Sequence, residues 1–148
     1  MSPSDPGFAE RVRTSFLRQT LMTTLGASLE EVEPGRVAIR MKRQDGILQQ
    51  HGFVHGGAVT AIADTAAGYA ALTLLPPGRG VMSVEFKINF MRPAAQSTIL
   101  AIGNVLKPGR TLSVAQAEVF GEEAGKRTTI ALLIATMMAV EGRDGVVD

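Results

Sequence analysis

The chain begins with apolar residues at helical spacing. Phe8, Val12 and Phe16 recur every four residues, and the neighbouring arginines lie off this stripe. An apolar stripe flanked by charged residues is typical of an amphipathic helix. We therefore predict that the N-terminal segment, residues 1–25, contains such a helix over residues 6–25.

Two short strands are expected next. In residues 36–42 apolar and basic side chains alternate, as they do in a half-buried strand. Pro34 and Gly35 provide a turn that joins this strand to an earlier one over residues 27–32. Residues 43–55 are polar and punctuated by glycine, so we predict a loop there.

The segment over residues 56–75 is rich in alanine and apolar almost all round. A helix with this pattern is buried on every side. At about 100° per residue, small residues and one carboxylate share a narrow face of this helix. The members of that face are Gly57, Ala61, Asp64, Gly68 and Ala71. Asp64 is the only charged residue in the helix.

Four further strands are predicted in the second half of the chain. Their ranges are residues 83–90, 97–106, 111–120 and 126–140. The first alternates strictly, which places Val84 and Phe86 on an apolar face and Ser83 and Glu85 on a polar face. Only short turns separate the later strands, and parallel crossovers need a dozen or more residues, so the strands are antiparallel.

This order of elements predicts an α+β domain over residues 26–140. An antiparallel sheet wraps around the long buried central helix, because nothing else could cover that helix on all sides. Residues 141–148 are polar and contain glycine, and they are expected to form a flexible tail.

Composition excludes several classes of chemistry. Fifteen basic and fourteen acidic residues leave a formal charge of +1, which gives no electrostatic basis for binding nucleic acid. The absence of cysteine excludes disulfides, cysteine-ligated metals and a cysteine nucleophile. His51 and His55 are too few for a histidine-rich metal site. We expect neither a metal nor a cofactor.

No targeting signal is visible. The amino terminus lacks the apolar region of a secretory signal. The longest apolar run, residues 130–140, is about half of the roughly twenty residues that a membrane-spanning helix needs. We expect a cytoplasmic protein that does not bind membranes.

The most informative motif is His55-Gly56-Gly57 at the start of the buried helix. Glycines at a helix start leave N–H groups open to a ligand, which suits a carbonyl oxygen that gains negative charge. The alternative is a glycine-rich turn that begins a core helix. Asp64 follows on the same helix, and an unpaired buried carboxylate costs several kcal/mol. It is therefore either bonded to a backbone donor or used as a nucleophile or general base.

Residues 48–93 resemble the hotdog-fold thioesterase superfamily, through the His-Gly-Gly motif at residues 55–57, Asp64 and the strand that contains residues 81–86. Within that superfamily the resemblance is to the PaaI-like acyl-CoA thioesterases of phenylacetate degradation. It implies a hotdog fold and an acyl-CoA substrate. It also implies a homodimer that joins two sheets edge to edge, with active sites at the interface, and pairing of dimers into a homotetramer.

The resemblance also implies roles for single residues. The Gly57 N–H polarises the thioester carbonyl, and Asp64 of the partner subunit attacks the carbonyl or activates water. His55 orients the loop and contacts the thioester. Ser83 matches a serine that some relatives place beside the carboxylate. Gln49 stands where several relatives have an asparagine, six residues before the motif histidine.

Further residues are candidates for binding substrate. Gly56 allows close approach of a ligand to the backbone, and Met82 is a candidate for the pocket that holds the acyl group. Coenzyme A carries phosphates, which basic side chains bind. Arg92, Lys107 and Arg110 are the candidates, with solvated surface charges as the alternative.

The leading hypothesis is therefore a metal-independent acyl-CoA thioesterase, in which coenzyme A is part of the substrate. One alternative is a hotdog hydratase or dehydratase that acts on acyl thioesters. The other is a non-catalytic module that binds acyl-CoA.

Overall fold

In the computed structural model, residues 1–141 and Val146 are described, and they form one antiparallel sheet packed against a long helix. The helices are α1 (Phe8–Arg18), α2 (Thr20–Thr24) and α3 (Gly56–Leu72). The strands are β1 (Ala27–Glu33), β2 (Arg36–Lys42), β3 (Arg79–Phe90), β4 (Thr98–Lys107), β5 (Leu112–Glu123) and β6 (Lys126–Glu141). Their order in the sheet is β1-β2-β4-β5-β6-β3, and each pairing is antiparallel. The predicted α+β class is confirmed.

The core lies between α3 and the sheet. Alanine-rich α3 packs against all six strands, and its Ile62 and Leu72 are fully buried. The helix and the sheet approach each other closely at Gly103 of β4, where a Cβ atom would lie 2.3 Å from the carbonyl oxygen of Ala66. Glycine at this position therefore allows the helix to lie directly on the strand.

One side of α3 is not covered by the sheet. Gly57 is exposed, and Ala61, Asp64 and Thr65 are only half-buried. The expectation that the helix is buried on every side is therefore wrong for this stripe. Small side chains leave space beside the helix here, and that space forms the cavity described below.

The predicted helix over residues 6–25 is in fact two helices. Gln19 adopts an extended conformation between them (φ −78°, ψ 99°), which ends α1 and redirects the chain. Val12 and Phe16 are buried, as the spacing predicted. The break occurs where the Gln19 side chain bonds to Tyr69 of α3, a tertiary contact that helical spacing does not reveal.

Strand β3 is an edge strand and contains a β-bulge between Ser83 and Glu85. Ser83 lies opposite Met137, and Phe86 lies opposite Ala135; both partners are buried. A bulge shifts the alternation of side chains by one residue. Ser83 therefore lies on the same face as Phe86, and its predicted place on the polar face of the strand is wrong.

The carboxyl end of the chain is described only in part. Glu141 is the last residue of β6, and most of the tail predicted over residues 141–148 lies outside the described residues. Within residues 1–141, no helix is long and apolar enough to cross a membrane. The cytoplasmic location stays a prediction.

Candidate active site

Asp64 and Ser83 form a hydrogen-bonded pair between α3 and β3. The Ser83 hydroxyl donates to Asp64 Oδ1 at 2.6 Å and lies 3.4 Å from the sulfur of Met137. The bulge in β3 turns Ser83 towards the helix, and bulges commonly serve to re-aim side chains beside active sites. Within the described part of the chain, no backbone N–H donates to Asp64. The structure therefore does not show the alternative in which Asp64 is bonded to a backbone donor.

The carboxylate lies in the wall of a cavity of about 510 Å³. Small and apolar side chains on α3, β3 and β6 form one part of its wall, namely Ala61, Gly68, Val81 and Met137. Residues of α1, α2 and their connection close another part, among them Ser15, Gln19 and Leu21. A cavity of this size accommodates a small organic group. The half-buried Asp64 can therefore contact a group bound there.

The glycine motif forms the start of α3, as predicted. His55 is the N-cap residue, and its Nδ1 accepts a hydrogen bond from the Gly57 N–H at 2.7 Å. The N–H of Gly56 has no hydrogen-bond partner among the described residues. The Gly57 N–H, which was predicted to polarise a carbonyl, is thus bonded to the His55 side chain.

Gln49 also orders this loop. Its Oε1 accepts hydrogen bonds from the N–H groups of His51, at 2.5 Å, and Phe53, at 3.3 Å. Gln49 lines a second cavity, of about 430 Å³, together with Gly56 and Phe90. The structure therefore brings Gln49 close to the start of α3 and gives its carbonyl a structural role, while its amide N–H groups have no partner among the described residues.

Gly57 and Asp64 of one chain are well separated. They lie seven residues apart on α3, which corresponds to about 10.5 Å along the helix axis. A thioester carbonyl that accepts a hydrogen bond from Gly57 therefore lies too far from Asp64 of the same chain for attack. Each chain contains two separate halves of the predicted site.

The candidate substrate-binding residues are dispersed. Arg92 lines the cavity beside Gly56, and its guanidinium donates to the carbonyl oxygen of Thr129 at 2.9 Å. Arg110 lines a different cavity at the carboxyl end of α3, and Lys107 ends β4 nearby. The length of α3, about 24 Å, separates these two groups.

Met82 is not part of the cavity that Asp64 lines. Because its neighbours Val81 and Ser83 both face α3, Met82 points to the opposite side of the sheet, where it is 46% exposed. The structure therefore gives no support to the prediction that Met82 lines the acyl pocket of its own chain.

Sequence reasoning missed the polar residues of the cavity. Ser15, Gln19 and Tyr69 line it together, and the tyrosine hydroxyl contacts the other two side chains. The available signal was Tyr69 itself, the single tyrosine of the chain, placed within an apolar helix. A buried tyrosine hydroxyl usually has a hydrogen-bond partner.

Among residues 1–141 and Val146, no group of three His, Asp or Glu side chains is arranged to hold a metal ion. The expectation that the protein uses no cofactor stays a prediction.

An antiparallel sheet packed around one long helix is the architecture of the hotdog fold. The chain belongs to the thioesterase superfamily, whose family profile matches residues 51–127. It is therefore a thioester hydrolase, as the resemblance implied.

Individual proteins agree with this assignment. A thioesterase family protein from Silicibacter pomeroyi is 44% identical, with a TM-score of 0.90 over 92% of this chain and 100% of that one. Acyl-coenzyme A thioesterase 13 of Pongo abelii is 30% identical over 67% of this chain and 71% of its own length. The PaaI protein of Escherichia coli shares the fold at 22% identity, with a TM-score of 0.84 over 95% and 98% of the two chains.

Proposed function

We propose that the protein hydrolyses acyl-CoA thioesters to a carboxylic acid and free coenzyme A. The observation that carries this proposal is Asp64, held by Ser83 in the wall of a cavity that can receive an acyl group. The name of the Pongo abelii relative supports coenzyme A as the leaving group. In this proposal coenzyme A enters only as part of the substrate, and no cofactor takes part.

Asp64 acts on the carbonyl carbon in one of two ways. As a general base, it removes a proton from a water molecule while the water oxygen attacks the carbonyl carbon. As a nucleophile, its own oxygen attacks to form an anhydride, which water then cleaves. In either route the carbon–sulfur bond breaks, and the sulfur leaves with the bonding electron pair and takes up a proton to become the thiol.

The start of α3 stabilises the negative charge that develops on the carbonyl oxygen. A backbone N–H at a helix start is a fixed donor that suits this task. The Gly57 N–H becomes available when the exposed His55 side chain rotates away from it. The developing oxyanion then replaces the imidazole nitrogen as acceptor, because a hydrogen bond to a charged group is the stronger one.

Each active site is proposed to combine Gly57 of one chain with Asp64 of a second copy. The edge strand β3 is the proposed contact, because it is long and carries Phe86 and Phe90, which are 42% and 54% exposed. A long apolar edge strand invites pairing with another strand. Pairing of such dimers into a homotetramer stays a prediction.

The register of this pairing follows from the positions of two half-sites. One half-site is the start of α3 with Gly57, and the other is the Asp64–Ser83 pair. Near one end of β3, the ring of Phe90 lies against Gly56, because a Cβ atom there would be 3.1 Å from it. Towards the other end, Ser83 holds Asp64. In the proposed antiparallel β3–β3 pair, residue 83 of one copy lies opposite residue 90 of the other. This arrangement places the Asp64–Ser83 pair of each copy beside the start of α3 of the other copy. Arg92, beside Gly56, is then the basic residue proposed for the phosphates of coenzyme A.

Thiol release from a panel of acyl-CoAs tests the proposed activity. The chain has no cysteine, so a colorimetric disulfide reagent reports only released coenzyme A. We expect Asp64→Asn to lower kcat by at least about a hundredfold, because the base or nucleophile is lost. Asp45→Asn, the same change in the turn before the motif, should leave kcat unaltered.

Other outcomes lead to the alternatives. Full activity of Asp64→Asn would overturn the assigned role of this carboxylate. Conversion of the acyl group without release of thiol would indicate a hydratase or dehydratase. Tight binding of acyl-CoA without turnover would indicate a binding module.

A further inference from the structure

A largely buried arginine joins the first helix to the carboxyl end of α3. The Arg11 side chain is 10% exposed, and its guanidinium donates hydrogen bonds to three backbone carbonyl oxygens. These oxygens belong to Leu72, at 2.9 Å, Leu75, at 2.8 Å, and Pro76, at 2.9 Å. A carboxylate oxygen of Asp5 lies 3.4 Å from the same guanidinium and balances its charge. The contact therefore links the first turn of α1 to the segment in which α3 ends.

The chemistry of arginine suits this place. The last carbonyl groups of a helix lack partners within the helix, and they carry the negative end of its dipole. A guanidinium has several N–H donors in one rigid plane, whereas the ammonium of a lysine is a compact charge on a flexible stem. Arg11 therefore holds α1 to α3 by directed bonds, in addition to the packing of the buried Val12 and Phe16.

The helix that Arg11 holds forms part of the Asp64 cavity. Ser15 of α1 lines that cavity, and so do Gln19 and Leu21 further along the chain. Ser15 follows Arg11 by four residues, which is about 6 Å along the helix axis and about 40° around it, so the two side chains share one face of α1. A displacement of α1 at Arg11 would therefore move this part of the cavity wall.

The reacting part of the site does not depend on Arg11 in the same way. Asp64 lies on α3, which packs against all six strands, and its partner Ser83 lies on β3. Different elements therefore hold the carboxylate and the α1 part of the wall. A displaced wall weakens the binding of the acyl group and raises KM, whereas a displaced carboxylate lowers kcat.

We propose that Arg11 is a positioning residue for substrate binding, which fixes the wall that α1 and its connection to α2 contribute to the cavity. This inference rests on the proposed acyl-CoA hydrolysis. Arg11 acts through α1, because the described residues that line the cavity do not include it. Its effect grows with the length of the acyl group. An acetyl group carries a single methyl group beyond the carbonyl, whereas a hexanoyl group extends four carbon atoms further.

Steady-state kinetics tests this role with the shortest and the longest acyl-CoA that the wild type hydrolyses, with acetyl-CoA and hexanoyl-CoA as the first choice. Arg11→Met keeps an unbranched side chain and removes the donors and the charge. We expect it to raise KM for the longer substrate about fivefold or more, with kcat within about twofold and with little change for the shorter substrate. Arg11→Lys keeps the charge but not the planar set of donors, so it should give an intermediate KM. Arg13→Met, the same change at an exposed position of α1, is the matched control and should alter neither constant.

The contrary outcomes are distinct. A lowered melting temperature of Arg11→Met with an unchanged KM for the longer substrate would assign Arg11 a purely structural role and overturn the inference. An equal rise in KM, or an equal fall in kcat, for both substrates would also overturn it, because the effect would not depend on the acyl group. If Arg11→Met does not fold, Arg11→Lys decides, and a wild-type KM for the longer substrate would overturn the inference. Failure of the wild type to hydrolyse any acyl-CoA would overturn the proposed function and this inference with it.

Discussion

At the scale of single residues, the hydrogen bond from Ser83 to Asp64 is the central contact of the candidate site. It fixes the carboxylate on the side of α3 that the sheet leaves open. In either proposed role, Asp64 must present one oxygen to the substrate or to water. Ser83 occupies Oδ1, which leaves Oδ2 for that task. Under the proposed function, Ser83 is therefore expected to be a positioning residue, which acts through the carboxylate.

Removal of the Ser83 hydroxyl tests this role. Hydrogen bonds to charged groups contribute about 1.5–3 kcal/mol, so we expect Ser83→Ala to lower kcat about tenfold or more with little change in KM. Ser28→Ala is a matched control, because it also removes a hydroxyl that donates to a carboxylate, that of Glu30, but on β1. Steady-state kinetics with one acyl-CoA checks both variants. A kcat that is unchanged in Ser83→Ala would show that Asp64 does not depend on this contact.

The placement of single residues at the candidate site was partly predictable from the sequence. Asp64 stood out because it is the only charge in an apolar helix, and the resemblance placed Ser83 beside it. The bond between His55 and the Gly57 N–H was not predictable, because it depends on the rotamer of an exposed side chain. The cluster around Tyr69 was missed because Tyr69 lies on α3, whereas Ser15 and Gln19 lie on α1 and in its connection to α2, which are distant in the sequence.

At the scale of the elements, periodicity predicted the number and type of strands but not their irregularities. The bulge in β3 adds one residue without altering the apolar and polar alternation that can be read from the sequence. Gln19 likewise interrupts a stripe that continues at helical spacing on both sides. In both cases tertiary contacts with α3 decide the local conformation, and pattern reasoning within one segment does not include them.

An ion-pair cluster joins three strands on the other face of the sheet. Glu122 of β5 accepts hydrogen bonds from Arg40 of β2 and from Arg127 of β6, the latter at 2.7 and 3.0 Å. The guanidinium of Arg127 also lies over the ring of Phe120, 5.1 Å from its centroid. The hydrogen bond from Arg40, followed by that from Arg127, lowers the pKa of Glu122 below its ordinary value of 4.5.

This lowered pKa predicts a pH-dependent contribution to stability. The folded state favours the ionised form of Glu122, so the contribution is complete above the unfolded pKa and is lost as the pH falls through the lower, folded pKa. We expect Glu122→Gln to reduce the free energy of unfolding by about 1 kcal/mol at neutral pH, since the cluster is partly exposed. Denaturant unfolding should show this difference shrinking below pH 4.5, the ordinary value for this carboxyl.

A control separates this effect from the general consequences of losing a charge. Glu33 of β1 has no ion-pair partner among the described residues, so Glu33→Gln should have little effect at any pH. A Glu122→Gln difference that stays constant as the pH falls would show that packing of this side chain, and not its charge, is what the substitution alters.

At the scale of the whole molecule, the two proposed half-sites, the start of α3 with Gly57 and the Asp64–Ser83 pair, lie apart in one chain. The glycine start of α3 and the Asp64–Ser83 pair lie about two helical turns apart on one rigid element. Both half-sites border β3, whose outer edge has no strand paired with it among the described residues. Antiparallel pairing of two β3 strands would place the glycine start of α3 of each chain beside the Asp64–Ser83 pair of the other. Twofold symmetry then gives two equivalent sites.

Mixing two inactive variants tests this arrangement. Asp64→Ala removes the carboxylate half, and Gly57→Pro removes the N–H half, because proline has no N–H and is tolerated in the first turn of a helix. Each variant alone should show little thioesterase activity. In a mixed dimer both lesions fall in one site and the other site is intact, so refolding the two together in equal amounts should restore about a quarter of the wild-type rate. Refolding either variant with itself is the control and should restore nothing.

Absence of recovery, with mixed dimers demonstrated by native mass spectrometry, would show that each site is built within a single chain. The proposed β3 interface would then not account for the position of Asp64.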